Sequence, residues 1–177
     1  MNDHFSLQPF DPIHPLDLKI NGNIARNDNK LSISYTLLGD LDKVVIPAIV
    51  DLPIRKHNLW EETCFEFFLG IKNSTRYWEF NLSPAGHWNI YRFDDYRQGM
   101  QEEMAIMSLP FSVQNQSDAL QLVLELDLDK LISADTLLDV AITTVIKSQK
   151  GNISYWALTH TGSQADFHQR DSFMIEC

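Results

Sequence analysis

The residue in this sequence that most demands a chemical explanation is a carboxylate in the middle of an apolar strand. In Leu59-Trp60-Glu61-Glu62-Thr63-Cys64-Phe65-Glu66-Phe67-Phe68-Leu69, two-residue alternation puts Phe65, Phe67 and Leu69 on one face. Cys64, Glu66 and Phe68 share the other. A charge there is costly unless it is paired, hydrogen-bonded or turned to a wet cleft. Further along, Tyr77, Glu79, Asn81 and Ser83 form a polar row. If the two segments pair as a hairpin, Glu66 and this row lie on one face, and His87, Asn89 and Tyr91 extend it onto the next strand. A concave sheet face carrying Glu, Asn, Tyr, His and Arg beside exposed Trp is chemically suited to a polyhydroxylated ligand. Hydroxyl edges take hydrogen bonds, and apolar C–H faces cover an aromatic ring. Polar residues alternating along a strand are ordinarily a solvated face, and strand Trp is ordinarily core. Glu66 fits neither pattern.

A second constellation lies near the C-terminus, in Ser154-Tyr155-Trp156-Ala157-Leu158-Thr159-His160 and Ala165-Asp166-Phe167-His168-Gln169-Arg170-Asp171. His160, Asp166 and His168 are metal-capable types, but they match no compact ligand spacing, and such residues more often fix loops through backbone hydrogen bonds. Glu62, Glu66 and Glu79 supply candidate carboxylate pairs for glycoside chemistry, which requires two of them across a cleft. Ser83 precedes Pro84-Ala85-Gly86 and is no nucleophile elbow. The seven glycines are scattered and form no phosphate loop.

The elements that must position these residues read as strands. Strands are predicted near 16–26, 30–38, 63–71, 76–83, 87–93, 119–127, 138–147, 153–158 and 171–176. They are separated by turn signals such as Asn21-Gly22-Asn23, Lys72-Asn73-Ser74-Thr75 and Ser83-Pro84-Ala85-Gly86. Gln98–Ala105 and Leu128–Ser133 suit short helical turns. The segment 41–58, with Pro47 and Pro53, suits a surface connection. The expected fold is all-β: a β-sandwich of two antiparallel sheets with about 9–11 strands, formed by 1–177 as one domain, with a closed barrel as the alternative. Within it Trp78 shares a face with Phe80 and Leu82, and Trp88 with Ile90, so both are expected in the core. Trp60 and Trp156 are left to meet a ligand.

Composition narrows the partners. At a net charge of −10 the chain repels nucleic acid and anionic membranes at long range, and Arg92 and Arg97 are too few for a phosphate stripe. No apolar run approaches the roughly 20 residues of a spanning helix. The N-terminus MNDHFSLQPFDPIHP has no basic start or apolar stretch, and the two cysteines, Cys64 and Cys177, allow at most one disulfide. Both features lead to the expectation of a cytoplasmic protein with Cys64 as a buried thiol. The sequence assigns no cofactor, oligomeric state or catalytic residue.

The stretches LWEETCFEFFLG, YWEFNLSPAGHWNIYRFDDYRQGM, SYWALTH and ADFHQRDSFMIEC resemble the DOMON-like group of bacterial proteins, which is related to family 9 carbohydrate-binding modules. The resemblance runs from about Trp60 to the C-terminus and rests on aromatic and Glu, Asn and His positions. It implies a β-sandwich that binds a ligand rather than transforms it. It also implies a sugar clamped by two Trp, here Trp60 and Trp156, with Glu66, Arg97 and Asn81 as polar partners; His160 and His168 complete the expected ligand-binding set. Haem-binding relatives use Met and His as axial ligands, for which the chain offers Met100, Met104, Met107, His160 and His168.

Overall fold

The computed structural model describes residues 1–13 and 16–177, and its regular structure is nearly all strand. In chain order the strands are β1 (Asn2–Pro9), β2 (Leu18–Asn27), β3 (Lys30–Gly39), β4 (Cys64–Ile71), β5 (Tyr77–Leu82) and β6 (Trp88–Phe93). They continue with β7 (Gln101–Glu102), β8 (Phe111–Asn115), β9 (Ala119–Asp127), β10 (Leu138–Lys147), β11 (Ile153–Ala157) and β12 (Ile175–Glu176). Helix is confined to single 3₁₀ turns at Leu41–Lys43, Leu59–Glu61 and Arg170–Ser172.

All named strand pairings are antiparallel. The first half of the sandwich runs β8-β9-β3-β2-β1 and the second β7-β6-β5-β4-β10-β11, with β12 added beside β10. Strand β1 belongs to both halves. Its residues 2–7 pair with β2, whereas Gln8 and Pro9 pair with Ala157 and Trp156 of β11. The sheet therefore curls over at β1, and apolar side chains from both halves form one core. Tyr35 of β3 meets Phe65 of β4 across it with ring centroids 5.1 Å apart, and its hydroxyl donates to the Glu66 backbone carbonyl at 2.7 Å. Phe67 stacks on Phe80 in the same core, and Trp78 and Trp88 lie there as their strand faces predict.

Eight of the nine predicted strands are present, with shifted ends; the strand expected at 171–176 is reduced to Ile175–Glu176, because Arg170–Ser172 form a 3₁₀ turn. Strands β1, β7 and β8 are additional. Strand β1 offers only Phe5 and Leu7 to the core, β8 is a half-exposed edge of five residues, and β7 has two residues. Such short patterns fall below what alternation can signal. The helical turn expected at Gln98–Ala105 is absent. Arg97 and Gly99, at φ 52° and 67°, turn the chain back into β7 instead. The segment 41–58 is a surface connection as expected, touching the sheet at Val44–Ser148 and Arg55–Trp88 bridges.

The second half is covered on both faces, which is why β4 and β5 are buried almost throughout. Its outer face carries a smaller cluster of Leu59, Cys64, Phe68, Tyr77, Tyr91, Phe93, Ala141, Val145, Ala157, Phe167 and Phe173. Burying Phe167 and Phe173, at roughly 1.5–3 kcal/mol for a Phe side chain, pins the β11–β12 connection over that face.

Candidate functional site

Between this outer face and the segments above it lies a cleft of about 380 Å³. The sheet contributes Glu66 and Phe68 from β4, Glu79 from β5, Phe93 from β6, Val145 from β10 and Tyr155 from β11. Trp60 comes from the 3₁₀ turn at Leu59–Glu61, Arg97 and Met100 from the β6–β7 connection, and Ala165, Phe167 and His168 from the β11–β12 connection. Strand register explains the sheet contribution. Glu66 lies opposite Asn81 on one side and Thr143 on the other, Glu79 opposite Phe68 and Tyr91, and Tyr155 opposite Val145. Trp60 is swung into place by Asn58, whose φ of 59° is in the left-handed region that Asn tolerates. The indole packs edge-on to Tyr91 at 5.7 Å.

Glu66 is only 2% exposed. Its Oε2 accepts a long hydrogen bond from Thr143 Oγ1 at 3.4 Å, and its Oε1 is buried with no hydrogen-bond partner. Burial, then the nearby Glu79 carboxylate, pushes its pKa well above the carboxylate range. Glu79 Oε1 accepts from Asn81 Nδ2 at 3.0 Å, and burial raises this carboxyl to about 7. The cleft therefore has two acids on its floor that do not both ionise easily at neutral pH.

Asp166 ties the two connections above the floor. Its carboxylate accepts from Tyr96 Oη, Arg97 Nη2, Gln169 Nε2 and the His168 backbone N–H, at 2.5–3.2 Å. Its partial burial opposes ionisation, but these donors outweigh it and hold the carboxyl near 2. Tyr77 Oη accepts the Arg97 backbone N–H at 3.1 Å and lies 2.8 Å from His168 Nδ1. Burial and then the Arg97 charge lower His168 to about 4, so its imidazole is neutral at pH 7. Tyr77, raised by burial to about 12, keeps its proton and donates it to Nδ1. The His168 N–H then sits on Nε2, 3.8 Å from Glu79 Oε2.

Of the expected site residues, Trp60, Glu66, Arg97 and His168 line the cleft. Asn81 lies wholly beneath it and orients Glu79. His160 is outside, its Nε2 3.0 Å from the Gln8 carbonyl oxygen and its ring edge-on to Phe10. The expected Trp156 half of a clamp is corrected. Trp156 points to the opposite face, is 3% exposed in the main core, and donates from Nε1 to Ser154 Oγ. Tyr155, one residue earlier and 41% exposed, is the aromatic that reaches the cleft. Phe93 and Phe167 are further lining residues that sequence reasoning missed, and Met100, expected only as a haem ligand, lines the cleft too.

Among the expected carboxylates, Glu62 points away and is ion-paired with Lys147 at 2.7 Å. Glu66 and Glu79 stand side by side on one wall rather than opposite each other. A haem axial pair does not fit: Met100 lines the cleft, but His168 there directs its nitrogens at Tyr77 and Glu79, His160 lies outside, and Met104 and Met107 are exposed. Among the described residues, no three His, Cys, Asp or Glu gather as a metal site.

Fold and cleft define an antiparallel β-sandwich with a covered aromatic and acidic cleft on one outer sheet face. Solved structures share the architecture. The chain is similar to a candidate carbohydrate-binding protein from Bacteroides uniformis, with TM-score 0.65 and 14% identity over 96% of this chain and 84% of that one. It is also similar to a family 9 carbohydrate-binding module from Caldicellulosiruptor kristjanssonii in complex with glucose, with TM-score 0.53 and 11% identity over 93% and 78% of the two chains. A structure of such a module from that organism with cellotriose gives TM-score 0.50 and 9% identity over 85% and 70%. No family model matches the sequence, and no curated protein matches it.

Proposed function

We propose that residues 1–177 form a non-catalytic domain that binds a sugar or a similar polyhydroxylated small molecule in this cleft. The observation that carries the reading is Glu66 Oε1, a buried acceptor without a partner at the floor of a cleft that also presents Trp60 and Tyr155. A ligand hydroxyl satisfies that oxygen, and the two aromatic side chains cover the apolar face of a sugar ring. The volume falls within the range of about 300–1,000 Å³ typical of small-molecule sites. Further support comes from the fold shared with modules that hold glucose and cellotriose. Binding rather than hydrolysis is favoured because Glu66 and Glu79 occupy one wall, whereas glycoside cleavage uses carboxyls flanking the scissile bond.

The test is calorimetry against a panel of monosaccharides and short oligosaccharides, with glucose and cellotriose included. Saturable binding is expected. Trp60→Ala and Tyr155→Ala each weaken it by about tenfold, as for other buried aromatic contacts. Absence of heat and of any shift in melting temperature across the panel overturns the proposal.

A further inference from the structure

The cleft is unusual in the sign of its unmet demand. Glu66 and Glu79 stand on adjacent strands of one face, at the diagonal of the register, and share the cleft lining. Among the described residues, neither has a cation within ion-pairing distance; the imidazole of His168, 3.8 Å from Glu79, is neutral. Arg97 is the one fixed cation among the described lining residues, and its guanidinium is held by Asp166 at 2.8 Å. The other titratable groups around the two acids are Tyr35 from β3, Cys64 from β4, Tyr77 from β5 and Tyr91 from β6. Burial keeps all four protonated, so they add no charge. One carboxyl oxygen, Glu66 Oε1, is left without a hydrogen-bond partner.

We infer that the cleft selects a cationic amino sugar, with the ligand ammonium group seated between the Glu66 and Glu79 carboxylates and the ring against Trp60 and Tyr155. This rests on the sugar-binding reading above and names its substrate class. An ammonium group supplies three N–H donors. That is enough for the free Glu66 oxygen and the Glu79 carboxylate together. A neutral hydroxyl supplies one donor, enough for only one of the two acids. An anionic sugar would face the same acids without a free cation to receive it. The aromatic lining adds attraction for a cation near a ring face. Since the floor acids hold protons before binding, seating the ammonium releases part of a proton to solvent at neutral pH.

The experiment is calorimetry of the wild-type protein at pH 7 with glucosamine, galactosamine and mannosamine, their N-acetyl forms, and the parent hexoses. Measurements are made in two buffers of different ionisation enthalpy. At least one amine is expected to bind about tenfold or more tighter than its parent hexose, the typical gain for hydrogen bonds to a charged group. N-acetylation should remove the advantage, and the heat should differ between buffers in the direction of proton release. Glu66→Gln and Glu79→Gln, which keep shape and remove charge, should bring amine and hexose to within about twofold of each other. If the hexose binds as tightly as the amine, or no protons are released, the amino-sugar inference falls while sugar binding stands. If neither hexoses nor amino sugars bind, both fall.

Discussion

Replacing Glu79 by Gln isolates one of two opposing titrations that meet in the cleft. Glu79 ionises at about 7 in the fold, because burial disfavours its charge, and at the ordinary 4.5 when unfolded. The unfolded chain therefore gives up this proton first, and stability falls as pH rises from 4.5 to 7. His168 behaves in the opposite sense. Burial, then Arg97, lowers it to about 4, against 6.5 when unfolded. The unfolded chain takes up that proton first, so stability falls as pH drops from 6.5 to 4. At 1.36 kcal/mol per pH unit, each effect amounts to about 2 kcal/mol between pH 5 and pH 7, and the two nearly cancel in the wild type.

Urea unfolding followed by tryptophan fluorescence at pH 5, 6, 7 and 8 separates them. Relative to the wild type, Glu79→Gln should gain about 2 kcal/mol on going from pH 5 to pH 7, whatever its offset at pH 5. Glu66 shifts in the same direction as Glu79 and is itself raised by the Glu79 charge, so its response to this substitution reinforces the gain. His168→Gln should lose about 2 kcal/mol relative to the wild type over the same interval. The comparison uses slopes only, so a uniform packing penalty from either substitution drops out. Difference curves for both variants that stay flat from pH 5 to 7 would refute the assignment of a reluctant acid and a neutral imidazole to this cleft.

Asp166→Ala removes the acceptor of four hydrogen bonds, two of which, from Tyr96 and Arg97, join the two connections above the cleft. Amide exchange should accelerate in 159–172 while β4 and β5 remain protected, and equal acceleration throughout would count against a local tie. Gly22→Ala should destabilise by more than about 2 kcal/mol in urea unfolding, in the range of overpacked cores. An added Cβ would lie 1.9 Å from the Ser34 carbonyl oxygen and 2.3 Å from the Phe5 ring. A near-neutral result there would disprove the close approach of β2, β3 and Phe5. Tyr35→Phe removes the donor to the Glu66 carbonyl and should cost about 1 kcal/mol. A loss below about 0.3 kcal/mol would mean that this bond across the sandwich contributes little.

The architecture and the centre of the cleft were readable for different physical reasons. Alternation over nine or ten residues, as in β3 and β9, reports a strand with one apolar face, and those elements fell where the pattern put them. Glu66 was readable because a charge inside an apolar run has few cheap explanations, and one of its oxygens is indeed left without a partner. The cleft walls obey no such rule. In Ile153-Ser154-Tyr155-Trp156-Ala157 both faces of β11 carry an aromatic residue, so alternation is silent about which side meets the core. The choice is made elsewhere in the chain. Tyr155 lies opposite Val145 and Trp156 opposite Thr144, while Val145 lies opposite Cys64, on the face that carries Glu66. One chain of register, from β11 through β10 to β4, thus decides which aromatic side chain lines the cleft. A sheet buried on both faces hides that register from its own sequence. Only the residue that is costly to bury on either face, Glu66, marks where the cleft lies.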